Sequence, residues 1–360
     1  MSHLKNGESL GAFSKWIRST TLVFSATLAM MTGLVGSASA AGFCCDPCEP
    51  VCCDMPDYVL YADFLYWQTH EEGLAFARSG YNNDLAAVTE QGKLYAPECE
   101  WEPGFRVGAV VDLGCCEWDF FAQYTWMHPC RQDGVTGVGE TGIEPLILSV
   151  TPTADLTAAA GSFELRFNVL DFGLGRTFNC NECFMFRPHF GFKATWQEHK
   201  NTVVYQWGDA VTPTVVSTNV IQQKMDFDGI GLRAGFDAAW KFSPCFSVVG
   251  NFAVSTVWSD IELRRNDSFV AQPVSLPDVD PTVIADQKFC DCAVIPVVEL
   301  FLGVRWDSTV CDCYDTYVRV GWENQVWLDT NRFIRELVDS AGNHGNLTFQ
   351  GLTLGAGFGF

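Results

Sequence analysis

Basic residues are scarce in this sequence. Among its 360 residues, 22 are Lys or Arg and 43 are Asp or Glu, which gives a formal net charge of −21 at pH 7. Proteins that bind nucleic acids neutralise backbone phosphates with Lys and Arg, so this acidity excludes that class. Charged residues of both signs make up only 18% of the chain, beside 32 Gly and many aromatic residues. This balance is unusual for a soluble globular protein.

Long apolar segments are also missing after residue 40. No run there reaches the roughly 18 residues that mark a transmembrane helix. A shorter apolar run, at residues 22–35, follows a basic stretch and precedes the small residues Ala38 and Ala40. This order predicts a secretory signal peptide over residues 1–40, cleaved before Ala41, and the short run disfavours the alternative of a membrane anchor. We therefore expect an exported protein.

The sequence has no recognisable catalytic motif. Its six His residues form no HExxH pair, and no G-x-S-x-G elbow occurs. We therefore expect no enzymatic activity and no cofactor. Cys45 with Cys48, and Cys180 with Cys183, have the spacing of half a zinc site each. A disulfide framework is the alternative that an exported chain favours, so we predict no metal centre.

Aromatic residues and alternating apolar and polar positions are abundant. The aromatic fraction of 14% excludes an intrinsically disordered chain. Between residues 230 and 241, Leu232 and Phe236 belong to an apolar face that alternates with a polar face containing Arg233 and Asp237. This period of two is typical of β-strands and recurs along the mature chain. It predicts strong strands near residues 58–68, 101–113, 117–128, 162–178, 184–200, 222–242, 245–260, 287–307, 314–332 and 346–360.

These strands are too long for an ordinary soluble domain. Soluble strands average about 5–6 residues, whereas a tilted membrane strand needs about 9–11. Trp and Tyr lie near the ends of the apolar faces, and short connections alternate with long ones, as in membrane barrels. Weaker runs at residues 73–78 and 145–150 add candidate strands, and a phase slip near Leu170 predicts a bulge. We predict an all-β transmembrane antiparallel up-and-down β-barrel over residues 58–360, with about 10–14 strands, short periplasmic turns and long external loops.

Several motifs of the predicted barrel resemble the Legionella-type major outer membrane protein family, which has relatives in chlamydia-like bacteria. They are ADFLYWQ (62–68), EGLAFA (72–77), PGFRVG (103–108), RPHFG (187–191), GIGLRAG (229–235), GWENQVW (321–327) and NRF (331–333). The resemblance runs from about residue 58 to residue 360. It implies a pore-forming porin that allows passive diffusion of small hydrophilic solutes or ions. The alternative is a non-conducting structural or adhesin-type envelope barrel.

The faces predicted to point inward carry charges of both signs. A barrel of about eight strands is filled by side chains, and one of about 16–18 strands holds an aqueous channel. The predicted strand number lies between, so the charges either line a water-filled pore or pair and plug it. Inward Gly residues such as Gly231 and Gly355 favour a narrow pore, and acidic loops favour cations. The pore-lining candidates are Arg106, Asp119, Glu164, Arg166, Asp171, Arg187, His189, Lys193, Arg233, Asp237, Glu299, Arg305, Arg319 and Glu323.

Cysteine is frequent, with 16 residues. Cys99 and Cys130 flank a predicted hairpin on its external side at matching distances from the turn, so we predict a disulfide between them. Cys290 and Cys292 have no assigned partner. The periplasmic cysteines pair within the chain, stay reduced or cross-link neighbouring proteins, and these alternatives remain open. The periplasmic disulfide candidates are Cys44, Cys45, Cys48, Cys52, Cys53, Cys115, Cys116, Cys180, Cys183, Cys245, Cys311 and Cys313.

Both ends of the mature chain suggest partners. Residues 41–57 form a Cys-rich periplasmic segment, and its stretch 44–53 departs from the family and is similar to chlamydial envelope proteins held together by disulfides. The chain closes on Phe358 and Phe360, which resemble the C-terminal signal read by outer-membrane assembly machinery. We therefore expect a bacterial outer-membrane location. The expected partners are outer-membrane lipid, the barrel-assembly machinery, and either a second copy or Cys-rich envelope proteins joined by disulfides, with no nucleic acid.

Overall fold

A computed structural model gives the structure of most of the mature chain. It describes residues 58–82, 87–88, 92–98, 100–114, 117–136, 142–147, 155–181, 183–208, 215–273, 280–310, 314–335 and 345–360. The predicted signal peptide and the Cys-rich segment 41–57 lie outside these residues. Within the described ranges, no helix is long and apolar enough to cross a membrane.

The described residues form sixteen β-strands. In chain order they are β1 (Tyr58–Glu71), β2 (Ala77–Asn82), β3 (Ala87–Val88), β4 (Leu94–Tyr95), β5 (Trp101–Asp112), β6 (Trp118–Met127), β7 (Cys130–Thr136), β8 (Gly142–Pro145), β9 (Asp155–Arg176), β10 (Phe178–Asn181), β11 (Phe184–Gly208), β12 (Val215–Ser243), β13 (Phe246–Pro273), β14 (Thr282–Val310), β15 (Tyr314–Asn331) and β16 (Gly345–Gly359).

Ten of these strands close into an antiparallel barrel. The order around the ring is β1, β5, β6, β9, β11, β12, β13, β14, β15 and β16, and β16 pairs with β1. Short turns join the strands at the end that holds both Tyr58 and Phe360, which we call the turn end, and the opposite end is the loop end. The predicted all-β antiparallel barrel is confirmed, with a strand number at the low end of the predicted range.

The described parts of the weaker runs do not enter the barrel wall. β2 pairs with β3, β4 and β8 in a small separate sheet, so Ala77 and Arg78 of the first run and Pro145 of the second belong to that sheet instead. β7 and β10 are short strands that extend the wall beside β9 and β11. The bulge predicted near Leu170 is wrong, because β9 pairs with β6 and with β11 in unbroken register through that position.

Four strands rise far above the height that a membrane requires. β11 has 25 residues, β12 and β14 have 29 each, and β13 has 28. Residues 261–273 and 282–286, which lie between the predicted strands 245–260 and 287–307 and were expected in an external loop, are strand. A tilted strand crosses the hydrocarbon with about 9–11 residues, so the loop-end halves of these strands stand in water.

The polarity of the wall reverses along its height, and β12 shows this clearly. From Trp240 to Ile230 the outward side chains are apolar, and Ile230 is 55% exposed on the outer surface of the protein. Beyond Ile230 the outward positions carry Asp228 and Lys224, which are exposed or half-buried, while inward Phe227 is completely buried. We call the first region the lipid-level half and the second region the upper half.

Aromatic rings mark both borders of the lipid-level half. Near the loop end, Trp101 stacks with Tyr66 at 5.3 Å between ring centroids and meets Trp322 edge-on at 5.9 Å. Near the turn end, Phe360 stacks with Tyr58 at 5.7 Å, and the two residues exchange backbone hydrogen bonds. Trp and Tyr prefer such positions because one end of each ring is apolar and the other is wet.

Candidate functional site: the barrel interior

The structure places twelve of the fourteen predicted pore-lining residues on the inward face. Eleven of them are joined in three ion-pair networks within the lipid-level half or lie beside those networks. Arg305 is set apart near the turn end, where its guanidinium pairs with Asp307 and lies 4.0 Å from the ring centroid of Tyr317. The twelve are Arg106, Asp119, Asp171, Arg187, His189, Lys193, Arg233, Asp237, Glu299, Arg305, Arg319 and Glu323.

The first network crosses the interior near the turn end. Arg187 on β11 pairs with Asp119 on β6 and with Asp237 on β12, the latter at 2.5 Å. Asn251 donates a hydrogen bond of 2.6 Å to Asp237 and also approaches His189. Because β6 is separated from β12 by two strands in the ring, this arginine ties together distant parts of the wall.

The second network is centred on a fully enclosed lysine. The ammonium of Lys193, whose side chain is 1% exposed, lies 2.7 Å from both Asp171 and Glu299. Arg233 donates to Glu299 at 2.9 Å. Charges taken out of water are tolerated when they are paired and hydrogen-bonded in this way, and removal of one partner leaves an uncompensated charge.

The third network contains a residue that the sequence analysis missed. Arg106 holds Glu323 through two parallel hydrogen bonds of 2.6 and 3.0 Å, and Arg319 pairs with Asp63 at 2.7 Å. Asp63 was overlooked because its inward neighbours on β1, such as Leu65, are as apolar as the outward ones. The alternation of β1 therefore carries no polarity signal.

A hydrophobic layer closes the middle of the interior above these networks. Phe167 of β9 meets Phe349 of β16 at 4.5 Å and Trp327 of β15 at 5.6 Å between ring centroids. Trp67 of β1 and Phe227 of β12 complete the contacts from other sides. The buried members of the layer are Leu65, Trp67, Leu74, Met127, Phe163, Leu165, Phe167, Val169, Met225, Phe227, Val257, Ile261, Leu263, Ile295, Val297, Trp327, Phe333, Leu347 and Phe349.

A segment after β15 lies across the mouth of the barrel on top of this layer. Phe333 is buried in the layer. The backbone N–H of Ile334 donates to the side-chain oxygen of Gln223 at 2.8 Å, and the side-chain nitrogen of Gln223 donates to the carbonyl of Ile334 at 3.1 Å. Arg265 donates to the carbonyl of Ile334 at 2.9 Å, and Asn331 donates to the carbonyl of Glu72 at 2.6 Å. The side chains of the inner wall thus hold the segment in place.

The predicted inward placement of two pore-lining candidates is wrong. Glu164 and Arg166 point outward from β9, since Phe163, Leu165 and Phe167 are the buried inward residues and the side chain of Arg166 is 53% exposed. The prediction assumed that polar residues face inward along the whole strand and required a bulge to restore the phase. In the upper half the rule is inverted, because the outside is water and the inside is the hydrophobic layer.

The outer wall of the upper half carries a ladder of ion pairs around these two residues. Glu198 pairs with Lys224 at 2.7 Å, with Lys200 at 2.9 Å and with Arg166 at 3.5 Å. The hydrogen bond from Lys224 lowers the pKa of Glu198 to about 2. A surface groove of about 480 Å³ lies along this wall above Trp196. The ladder is exposed to solvent, so it does not belong to the interior site.

The structure describes only some of the cysteines for which disulfides are predicted. The described cysteines are free thiols, and Cys180, Cys183 and Cys245 lie at or beside the turns where they were expected. Cys130 is one of the free thiols, but Cys99 lies outside the described residues, so their disulfide stays a prediction. Within the described residues, no group of three His, Cys, Asp or Glu side chains could hold a metal ion. Also outside the described residues are Cys44, Cys45, Cys48, Cys52, Cys53, Cys115, Cys116, Cys311 and Cys313.

Comparisons with known proteins give one family match. Residues 50–360 match the family model described as Legionella pneumophila major outer membrane protein precursor. A comparison with curated proteins finds no match. Among solved structures, the chain is similar to the outer membrane protease OmpT from Escherichia coli, with 12% identity and a TM-score of 0.36 over 85% of this chain and 97% of that chain. It is also similar to a Pseudomonas aeruginosa FadL homologue, with 9% identity and a TM-score of 0.25 over 85% and 90% of the two chains. These likenesses are distant, and no activity or cargo follows from them for this chain.

Proposed function

The chain belongs to the Legionella pneumophila major outer membrane protein family, and on that premise we propose that it is a narrow porin-like channel for small hydrophilic solutes or ions. Its location is the outer membrane. The observation that carries the proposal is the set of buried charges that cross the interior of the lipid-level half. If the interior side chains served only to fill the lumen, apolar residues would stabilise the barrel more, because buried ion pairs contribute little net stability.

The interior charges favour cations over anions. Acids exceed bases by one in the three networks, and their fields are concentrated in a narrow space with low-dielectric walls. The acids are Asp63, Asp119, Asp171, Asp237, Glu299 and Glu323, and the bases are Arg106, Arg187, Lys193, Arg233 and Arg319.

A second candidate function is a non-conducting structural barrel. The hydrophobic layer favours it, because the rings of Phe167, Phe349 and Trp327 meet across the centre of the interior. Small barrels of about eight strands are filled in a comparable way.

Planar-bilayer recording of the refolded protein separates the two candidates. The channel proposal expects a small conductance with a reversal potential on the cation-selective side. Glu299→Gln should shift that potential toward anions, because it removes an interior carboxylate. Glu262→Gln, on the outer wall, is the matched control and should leave the potential unchanged. Absence of conductance in the wild-type protein would leave the structural barrel as the function.

We further propose that cysteines outside the described residues link the barrel to the envelope. The support is the number of cysteines in segment 41–57 and the export expected of the chain. Isolated envelopes run on gels without reductant should show oligomers that collapse to monomer when thiol is added. A monomer band alone would contradict the cross-linking role.

Deletion of Phe360 should impair membrane insertion if the assembly machinery reads the terminal residue.

A further inference from the structure

β11 does not contribute to the hydrophobic layer, although both of its neighbours in the ring do. The layer takes side chains from β9 and β12, which flank β11 on either side, but the described members include none from β11. The inward side chains of β11 are polar along the full height of the layer. In order from the turn end they are Arg187, His189, Lys193, Thr195, Gln197, His199 and Asn201, with Gly191 between His189 and Lys193.

These polar residues are connected by hydrogen bonds where they pass the layer. Thr195 donates to the carbonyl of Asn168 at 3.0 Å and accepts from the amide of Gln197 at 2.9 Å. The carbonyl oxygen of Gln197 therefore faces Nε2 of His199 at 3.1 Å, and Nδ1 of His199 lies 2.9 Å from Glu71. His199 therefore connects the side chain of Gln197 to the carboxylate of Glu71.

At the upper end of this chain and beside it, three buried side-chain oxygens have no hydrogen-bond partner among the described residues. They are Oγ1 of Thr69, Oε1 of Glu71 and Oδ1 of Asn201, and all three residues are more than nine-tenths buried. Buried polar groups in native proteins are almost always satisfied by protein or by ordered water. These three oxygens, one of which belongs to the Glu71 carboxylate, therefore mark positions for water or for a cation.

We propose that water and small cations cross the level of the hydrophobic layer along the inward face of β11, and not through the centre of the barrel. The path connects the Lys193, Asp171 and Glu299 network below with the orphaned oxygens near Glu71 above. Acceptor oxygens at its upper part suit cations and not anions. This inference rests on the proposed channel function and names its route and its class of solute.

Two directly opposed positions test the route. Thr195 on β11 and Val169 on β9 are register partners, so they lie at the same height, and each is 2% exposed. One lies on the proposed path and the other in the hydrophobic layer. Thr195→Cys and Val169→Cys are each treated with a small membrane-impermeant cationic methanethiosulfonate, and the label at each site is measured by peptide mass spectrometry, which separates it from the native thiols.

The path predicts that the Thr195→Cys thiol reacts at least about tenfold faster than the Val169→Cys thiol, because only the former meets water and the cationic reagent. Labelling should also reduce the conductance of Thr195→Cys and leave that of Val169→Cys unchanged. If Thr195→Cys does not fold, Gln197→Cys replaces it, with its register partner Phe167→Cys as the control.

The outcomes separate this inference from the proposed function. Equal labelling of the two thiols, or an unreactive Thr195→Cys in a protein that conducts, overturns the route along β11 and leaves the channel intact. Absence of any conductance in the wild-type protein overturns the channel and the route together.

Discussion

The lipid-level half and the upper half of the barrel use the same strands in opposite ways. In the lipid-level half the outward residues are apolar and the inward residues are paired charges. In the upper half the outward residues form ion pairs in water, and most of the ten barrel strands contribute inward residues to the hydrophobic layer. A strand does not fix which of its faces is apolar, because the solvent on each side of the wall decides this at each height.

The two tryptophans of β15 offer the sharpest test of the difference. Trp327 is completely buried in the hydrophobic layer, whereas Trp322 is 49% exposed on the outer wall. Trp327→Ala should cost about 3–5 kcal/mol of unfolding free energy, because it leaves a cavity in a packed core. The measurement is urea unfolding in detergent micelles. Trp322→Ala is the matched control and should cost much less, and equal losses would show that the upper half has no true core.

The border between the halves can be located with charges on β12. Leu232 faces outward in the lipid-level half, and Asp228 faces outward four residues further along the strand. Leu232→Arg should cost about 2–4 kcal/mol in a lipid bilayer, because a lipid-facing charge is poorly solvated there. The readout is unfolding free energy in bilayer vesicles.

Asp228→Arg is the comparison for that experiment. It should change stability by no more than about 0.5 kcal/mol, as expected of a surface site in water. Similar costs at the two positions would remove the border that the polarity reversal indicates.

The ladder of ion pairs on the upper half should have the smallest effect. Glu198 has a pKa lowered to about 2 by its hydrogen bond to Lys224. A carboxylate with a lowered pKa stabilises the folded state above its unfolded pKa of about 4.3, and this stabilisation disappears as pH falls toward 2. Glu198→Gln should therefore cost less than about 1 kcal/mol at pH 7, since the pair is partly exposed.

The pH profile checks this last expectation. The difference between wild type and Glu198→Gln should vanish as the pH is lowered from 5 to 2, and salt should reduce it at pH 7. A difference that persists at pH 2 would mean that the variant acts through packing instead of charge.

Sequence reasoning worked where one face of a strand meets lipid. The alternation around Leu232 and Phe236 placed β12 in the wall and put Arg233 inside, as the structure confirms. The same reasoning failed for Glu164 and Arg166, because alternation indicates that two faces differ but not which of them meets water. It also missed Asp63, whose inward neighbours are apolar.

The pairing of distant residues could not be predicted from the sequence, for a related reason. Arg187 lies 68 residues from Asp119, and Arg319 lies 256 residues from Asp63. Sequence spacing indicates that Arg187, Asp119 and Arg319 point inward, but the curvature of the closed ring determines which residues they meet. The hydrophobic layer is of the same kind, since its rings come from five strands and meet only when the barrel closes.

The sequence by itself determined the strands, their alternation and the family, because a period of two and the motifs are local properties of the chain. The tertiary structure alone decided that four strands rise out of the membrane and that the wall inverts its polarity there. It also decided that the interior charges are paired beneath a layer of aromatic rings. These features depend on the height of a residue along the barrel and on contacts across the ring. The order of residues along one strand specifies neither of them.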